Sequence, residues 1–380
     1  MSHTVLGAGG PAADHSILMD VDTGIDDALA IVYLLSRPEV RLQAITCTAG
    51  NVGARQVALN SLSLLELCGR QGIEVAVGAE VPLEIPLVTT EETHGPRGIG
   101  YAELPAPAQQ ISQRHAVDVW VEEVRAHPGE ITGLITGPLT NFALALRREP
   151  ELPRLLKGLV IMGGSFYYQG NTTPTAEWNT SVDPHAAKEV YEAYRGLPED
   201  KLPVVCALES TERIELLPEH LRRLGEAAGA EEPELVLPDQ PEGQRSTSGS
   251  PLVACLSDAI RFYMEFHRLY DQGYVAHMHD AFAACAAVGR TPFSTRLATV
   301  DVETDSPLLA GTTVADFRGL WGLPPNARIV AGNDPGQCFD ELISSVGALA
   351  RSLEVRWPLP ANGTPRTVFP AVVPAGQRDR

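Results

Sequence analysis

Short apolar runs that stop at acidic or Gly-rich segments, each followed by a stretch of helical periodicity, set the rhythm of the chain. Ile17-Leu18-Met19 begins the first such run, which ends in a cluster of acids, and residues 28–35 then read as a helix. Residues 42–48 predict a buried strand, 54–68 an amphipathic helix and 74–77 another short strand. Farther on, 131–136 and 159–162 are apolar runs that stop at Gly-rich turns, with helical patterns at 141–146 and 184–194. Alternation of this kind predicts an α/β fold, a single central and mostly parallel sheet with helices on both faces. Ligands bind such sheets outside the carboxyl ends of the strands, so the residues just after each strand are the ones to inspect.

Residues 1–15 are a Gly/Ala-rich lead-in expected to be flexible, and 357–380 a Pro-rich tail, which leaves 16–356 as one domain. Within it, residues 218–250, rich in Glu, Pro, Gly and Ser, predict an insertion, part helix and part mobile loop.

Composition narrows the function. With 380 residues, 44% hydrophobic and 20% charged, the chain can bury a large core and is not a disordered segment. A formal charge of −19 argues against a nucleic-acid backbone or an anionic membrane as partner and favours a neutral small substrate or a cation. Six cysteines without a CxxC pair read as reduced core residues. No signal-like amino end and no apolar run of about 18 residues is present, so a cytoplasmic, non-membrane protein is expected.

The strongest chemical signal is Asp20-Val-Asp22-Thr-Gly-Ile-Asp26-Asp27, four carboxylates at a strand-to-helix junction. Like charges this close raise one another's pKa unless a cation or a helix start compensates, and a hard divalent metal held by oxygens is the economical answer. Asp26 and Asp27 could also serve partly as helix-start residues. The spacing does not make an EF-hand loop, whose twelfth position would need an acid where Ile31 stands. A phosphatase of the haloacid-dehalogenase type also uses DxD after a strand, but Gly24 and the following Asp26-Asp27 depart from its pattern, and the later strand ends carry Asn, Glu and His instead of phosphate-binding Ser/Thr and Lys.

The segment DVDTGIDDALA resembles the amino-terminal signature of the inosine/uridine-type nucleoside hydrolases. Later segments agree in order: Ala49-Gly50-Asn51-Val52, residues 136–141 (TGPLTN), Met162-Gly163-Gly164, Ala176-Glu177-Trp178-Asn179, His279-Asp280, and residues 302–316. The resemblance spans residues 16–347. It implies a Rossmann-like single domain, calcium at the bottom of the pocket, a homodimer or homotetramer, and hydrolysis of a ribonucleoside to free base and ribose.

By the same resemblance, Asp20 is the expected base and a calcium ligand, with Asp27, Asp280 and the Thr136 carbonyl completing the protein's ligand set. Asp26, Asn51, Glu177 and Asn179 would grip the ribose, and Met162 would pack under it. His279 would donate a proton to the leaving base from an imidazole near its ordinary pKa, and His94 would line the base pocket. The His279-Asp280 pair resembles the branch with pyrimidine-preferring and nonspecific members, so uridine and cytidine are expected, with inosine a further candidate. Trp178 and Pro96-Arg97 depart from the common pattern. A noncatalytic nucleoside-binding protein with the same calcium and ribose groups is the remaining alternative.

Overall fold

The computed structural model describes residues 15–356, so residues 1–14 of the lead-in and the whole tail lie outside the described residues, while His15, given to the lead-in, is already the first residue of a strand. Among the described residues eleven strands are formed: β1 His15–Val21, β2 Val40–Cys47, β3 Glu74–Val77, β4 Ile131–Ile135, β5 Gly158–Met162, β6 Val204–Cys206, β7 Glu215–Leu216, β8 Ala276–His277, β9 Phe293–Val302, β10 Thr313–Asp316 and β11 Ala327–Asn333. Nine of them make one sheet in the order β10-β9-β11-β6-β5-β4-β1-β2-β3, and β7 pairs with β8 apart from it. Pairing from β11 through β6, β5, β4, β1 and β2 to β3 is parallel throughout, whereas β9 runs antiparallel to β11 and to β10.

Side-chain alternation along β1 explains the two apolar layers. Ile17, Met19 and Val21 face one side, where the helices Ile25–Ser36, Ala54–Leu67, Pro251–Leu269 and His279–Val288 pack. Leu18 faces the other, with Trp120, Phe142 and Tyr191 from the helices Ala116–Ala126, Thr140–Arg148 and Pro184–Ala193. All six cysteines are buried and free, as their scatter predicted. No helix among the described residues is long and apolar enough to cross a membrane.

Chain order along the sheet reverses between β1 and β4, with β2 and β3 stacked on one side and β5 and β6 on the other. Successive connections leave that point in opposite directions, which opens a crevice between the loops that follow β1 and β4. Asp22 and Thr136 stand just past those two strand ends, so the topology itself delivers the acidic cluster to a binding cleft.

Residues 218–227 form a helix, and the irregular run to residue 250 is fastened to the helix Pro251–Leu269. The fully buried Arg261 pairs with Glu234 at 3.1 Å and donates to Gln240 at 2.7 Å, while Asp258 accepts the Ser246 N–H at 2.6 Å.

Candidate active site

A cleft of about 360 Å³ opens over the β1/β4 crevice. At its floor, Asp26, Asp27 and Asp280 each offer a carboxylate oxygen, and these oxygens lie within 4.8 Å of one another. Asp26 and Asp27 come from the first turn of Ile25–Ser36, Asp280 from the first turn of His279–Val288. The earlier helix start, at Ile25 and not residue 28, follows from Asp27 Oδ2 accepting the Gly24 N–H at 2.7 Å, a bond that satisfies one orphan donor of the helix. Thr136 Oγ1 donates to Asp27 Oδ1 at 2.7 Å.

Asp22 joins this group from the loop after β1. Its Oδ2 accepts the Asn51 N–H at 2.9 Å, and a Cβ on Gly50 would stand 2.2 Å from that oxygen, so only glycine at position 50 lets the carboxylate lie where it does. Gly24 is required in the same way: a Cβ there would meet Asn51 Nδ2 at 2.5 Å and His94 Nδ1 at 2.7 Å.

The expectation for Asp20 is not met. Its side chain lies on the opposite face of the sheet, where Oδ2 accepts from Thr46 Oγ1 at 2.5 Å, Asn141 Nδ2 at 3.0 Å and Trp120 Nε1 at 3.1 Å. It does not line the cleft; Asp22 does. Asp20 thus anchors two helices and a strand under the site, and the carboxylate that the end of β1 sends into the cleft is that of Asp22.

Burial pushes all the clustered carboxyls up, and mutual repulsion adds to it. Asp26 is raised to about 7, first by burial and then by the charge of Asp27. Asp22 and Asp280 are raised well above the usual carboxylate range by burial and by the same neighbours. No lysine or arginine lines the cleft to offset these charges. Four buried carboxylates without a cationic side chain, together with the buried and unpartnered Oδ1 of Asn51, are a hard-oxygen donor set that fits a divalent ion.

Of the expected ribose residues, Glu177 and Asn179 stand on the cleft wall after β5 beside Met162, while Asp26 lies at the floor and Asn51 follows β2. Asn179 Nδ2 donates to the Thr136 carbonyl at 2.7 Å and to Met162 Sδ at 3.5 Å. Glu177 caps the short helix Trp178–Val182, its carboxylate accepting from the backbone N–H groups of Gly164, Asn179 and Thr180 and from Thr180 Oγ1, all within 3.0 Å. That set of donors holds it in place although burial raises its pKa.

Both predicted histidines reach the cleft. His94 Nδ1 accepts the Ile25 N–H at 3.1 Å, so the neutral ring carries its hydrogen on Nε2; burial lowers its pKa to about 3. His279 Nδ1 lies 2.8 Å from Thr211 Oγ1. Burial, with His277, His267 and His94 nearby, holds His279 well below the ordinary imidazole range, so it is neutral in the free protein and not the acid near its normal pKa that the sequence suggested.

Sequence reasoning left the outer wall unassigned. Tyr263, Phe266 and His267 lie at positions i, i+3 and i+4 of Pro251–Leu269, and Tyr270 follows its last turn. Their rings touch in series, with His94–Tyr263 centroids 5.3 Å apart, Tyr263–His267 4.4 Å and His267–His277 4.8 Å. Aromatic spacing of this kind was visible in the chain, but nothing in it distinguished a cleft wall from a core stripe. Glu212, Asn171 and Thr172 also line the cleft without a motif to announce them.

Comparison with known proteins places this site in context. Residues 17–340 match the family described as inosine-uridine preferring nucleoside hydrolase. The chain is 33% identical over 331 residues to a pyrimidine-specific ribonucleoside hydrolase RihA of Shewanella sp. (strain ANA-3), covering 87% of this chain and 95% of the relative. It is 34% identical to the enzyme of the same description from Escherichia coli O9:H4 (strain HS), with 86% and 96% covered. Among solved structures, a purine-preferring ribonucleoside hydrolase from Gardnerella vaginalis superposes with a TM-score of 0.76 at 25% identity, covering 89% of this chain and 99% of that one. A plant nucleoside hydrolase, PpNRh1, superposes with a TM-score of 0.74 at 27% identity, covering 88% and 99%. A match running through nearly the whole sheet, joined to the order of the cleft-lining segments, decides the assignment: this chain is an enzyme of the inosine-uridine preferring nucleoside hydrolase family.

Proposed function

We propose that the protein is a calcium-dependent ribonucleoside hydrolase with a preference for pyrimidine nucleosides. The observation that carries the chemistry is the cluster of Asp22, Asp26, Asp27 and Asp280 at the floor of a cleft without a cationic side chain. Oxygen donors alone, with the Thr136 carbonyl beside them, suit calcium, which takes six to eight oxygens and needs no charge from each. When bound, the ion would supply the positive charge that orders an attacking water, lowers its pKa and grips the ribose diol.

The chain's own groups do the rest. Asp22, fixed through Asn51 N–H, takes the proton from water as its oxygen attacks C1′. Carboxylates around the sugar favour the positive charge that develops as the bond to the base lengthens. Asp26, Asn51, Glu177 and Asn179 orient the ribose, with Met162 beneath it. The bonding pair leaves with the base nitrogen. A neutral His279 whose Nδ1 faces the Thr211 hydroxyl can present Nε2–H to that base, and His94 presents Nε2–H because its Nδ1 is already engaged. Their hydrogen bonds offset the negative charge on the departing base without a stored proton.

Support for the pyrimidine preference comes from relatives described as pyrimidine-specific at 33–34% identity, against a purine-preferring structural neighbour at 25%. The test is kcat/KM for uridine, cytidine, inosine and adenosine under one set of conditions. Uridine and cytidine are expected to lead the purine nucleosides by about tenfold or more, the scale that one or two contacts in a pocket can supply. Inosine above both pyrimidines would overturn the preference.

A further inference from the structure

We infer that Tyr101 and Glu265 are a pair of positioning residues outside the cleft that set the spacing of the wall facing the leaving base, an inference that rests on the nucleoside hydrolase reading above. Tyr101 Oη donates to Glu265 Oε2 at 2.6 Å, and Glu265 is 4% exposed. Neither residue lines the cleft, yet each sits on a segment that does. Tyr101 ends the turn that begins at His94, and Glu265 stands between Tyr263 and His267 in the helix Pro251–Leu269. The ring contact of His94 with Tyr263, centroids 5.3 Å apart, joins the same two segments on the cleft side. They are thus fastened twice, once by rings that face the substrate and once by a hydrogen bond behind them.

The rear fastening is built from several contacts. The Gly100 N–H bonds to the His94 carbonyl at 2.7 Å, and a Cβ on Gly100, whose φ is +57°, would stand 2.7 Å from Phe262 Cβ. The turn therefore lies directly against the helix, at a distance only glycine permits. Tyr101 packs edge-on to Phe262, ring centroids 4.9 Å apart, and Arg245 lies 4.9 Å from the Tyr101 ring centre and donates to its carbonyl. The Gly243 N–H donates to Glu265 Oε2 at 3.2 Å, so the irregular run that ends at residue 250 closes over the pair from outside. At about 3.6 residues per turn, Arg261, Glu265 and Arg268 share one face of the helix, and Tyr263, Phe266 and His267 the opposite one. The first face holds the irregular run, through Arg261 to Glu234 and Gln240 and through Arg268 to the Pro238 carbonyl. The second lines the cleft, so a shift at the first moves the base wall.

The experiment measures kcat/KM of the wild type, Tyr101→Phe and Glu265→Gln on uridine and on p-nitrophenyl β-ribofuranoside. The nitrophenyl group departs as a stabilised phenolate and needs no hydrogen bonds from the wall. Tyr101→Phe keeps the ring on Phe262 and loses the bond to Glu265. Its kcat/KM for uridine should fall about ten- to hundredfold, the scale of a small misplacement remote from the chemistry, while that for the nitrophenyl riboside stays close to wild type. Glu265→Gln should stay close to wild type on both, because its amide oxygen can accept the Tyr101 O–H and the Gly243 N–H together. Equal loss on both substrates in Tyr101→Phe, unchanged turnover of uridine, or a loss in Glu265→Gln as large as in Tyr101→Phe overturns the role of the pair and leaves the hydrolase reading intact. No release of ribose from either substrate by the wild type, or from any other nucleoside, overturns that reading and this inference with it.

Discussion

Replacing Asp22 by Asn should lower kcat for uridine by about 10²–10⁴-fold, the range that a positioned base contributes. Asn keeps the size of the side chain and can still accept the Asn51 N–H through its amide oxygen, so the loop after β1 is preserved. What disappears is the capacity to take a proton from water. Calcium binding, followed by calorimetry, should weaken but persist, since Asp26, Asp27 and Asp280 remain. The companion variant Asp20→Ala should behave in a different way. It removes the acceptor that Thr46, Asn141 and Trp120 share; Thr46 keeps the Met19 carbonyl and Trp120 keeps Thr46 Oγ1, so the Asn141 amide is the donor left without its acceptor. Each buried unsatisfied group costs about 1–3 kcal/mol, so denaturant unfolding should reveal a loss of stability. Asp22→Asn with near-normal turnover would remove the proposed base.

The second large effect is on stability. In metal-free protein Asp26 is held at about 7 against an ordinary value of 3.8, and Asp22 and Asp280 are raised in the same direction. A carboxyl with a folded pKa above its unfolded one binds more protons in the native state between those two values. Stability therefore is greatest below the unfolded pKa and falls as pH rises through the folded one. A bound cation reverses the penalty, because it associates with the deprotonated carboxylates and releases their protons. Saturating calcium at 100 times its dissociation constant would add about 2.7 kcal/mol. Accordingly, the melting midpoint of chelator-stripped protein should fall between pH 5 and pH 8, and the rise produced by calcium should widen over the same window. A calcium shift that is absent, or that shrinks as pH rises, would show that the carboxylates are not the ion's site.

Most of the scaffold was legible in the chain because its period-two and period-3.6 patterns are strong. Strands at 42–48, 74–77, 131–136 and 159–162 and helices at 54–68 and 184–194 lie within two residues of β2, β3, β4, β5, Ala54–Leu67 and Pro184–Ala193. What escaped notice was short or weakly patterned: β6 has three residues, and most of β9 is exposed along its first half. The antiparallel edge made by β9 and β10 carries no motif of its own.

The misassignment at Asp20 has a definite physical origin. Asp20 and Asp22 are two apart, so in a continuing strand both would face the same side of the sheet. Only the place where the strand stops separates them, and β1 stops at Val21. Asp20 stays in register beneath the sheet, bonded to Trp120, whereas Asp22 turns with the loop into the crevice. Strand ends are the least determined feature of a sequence pattern, and here one residue of uncertainty exchanges a buried anchor for a carboxylate that lines the cleft. The error over His279 has a different source: the fold buries the ring, which lowers its pKa most, and brings His267 and His94 from distant segments to join its near neighbour His277.

The central claim is that a divalent cation at Asp22, Asp26, Asp27 and Asp280 enables this chain to cut ribonucleosides. Release of reducing sugar from uridine by purified protein, measured as prepared, after chelation and after calcium is restored, tests it most directly. The account predicts release, its loss on chelation and its return with calcium. Undiminished release after chelation would contradict the metal's part in the reaction. No release under any condition from uridine, cytidine, inosine or adenosine, with nucleoside binding intact, would contradict catalysis itself and leave a nucleoside-binding protein.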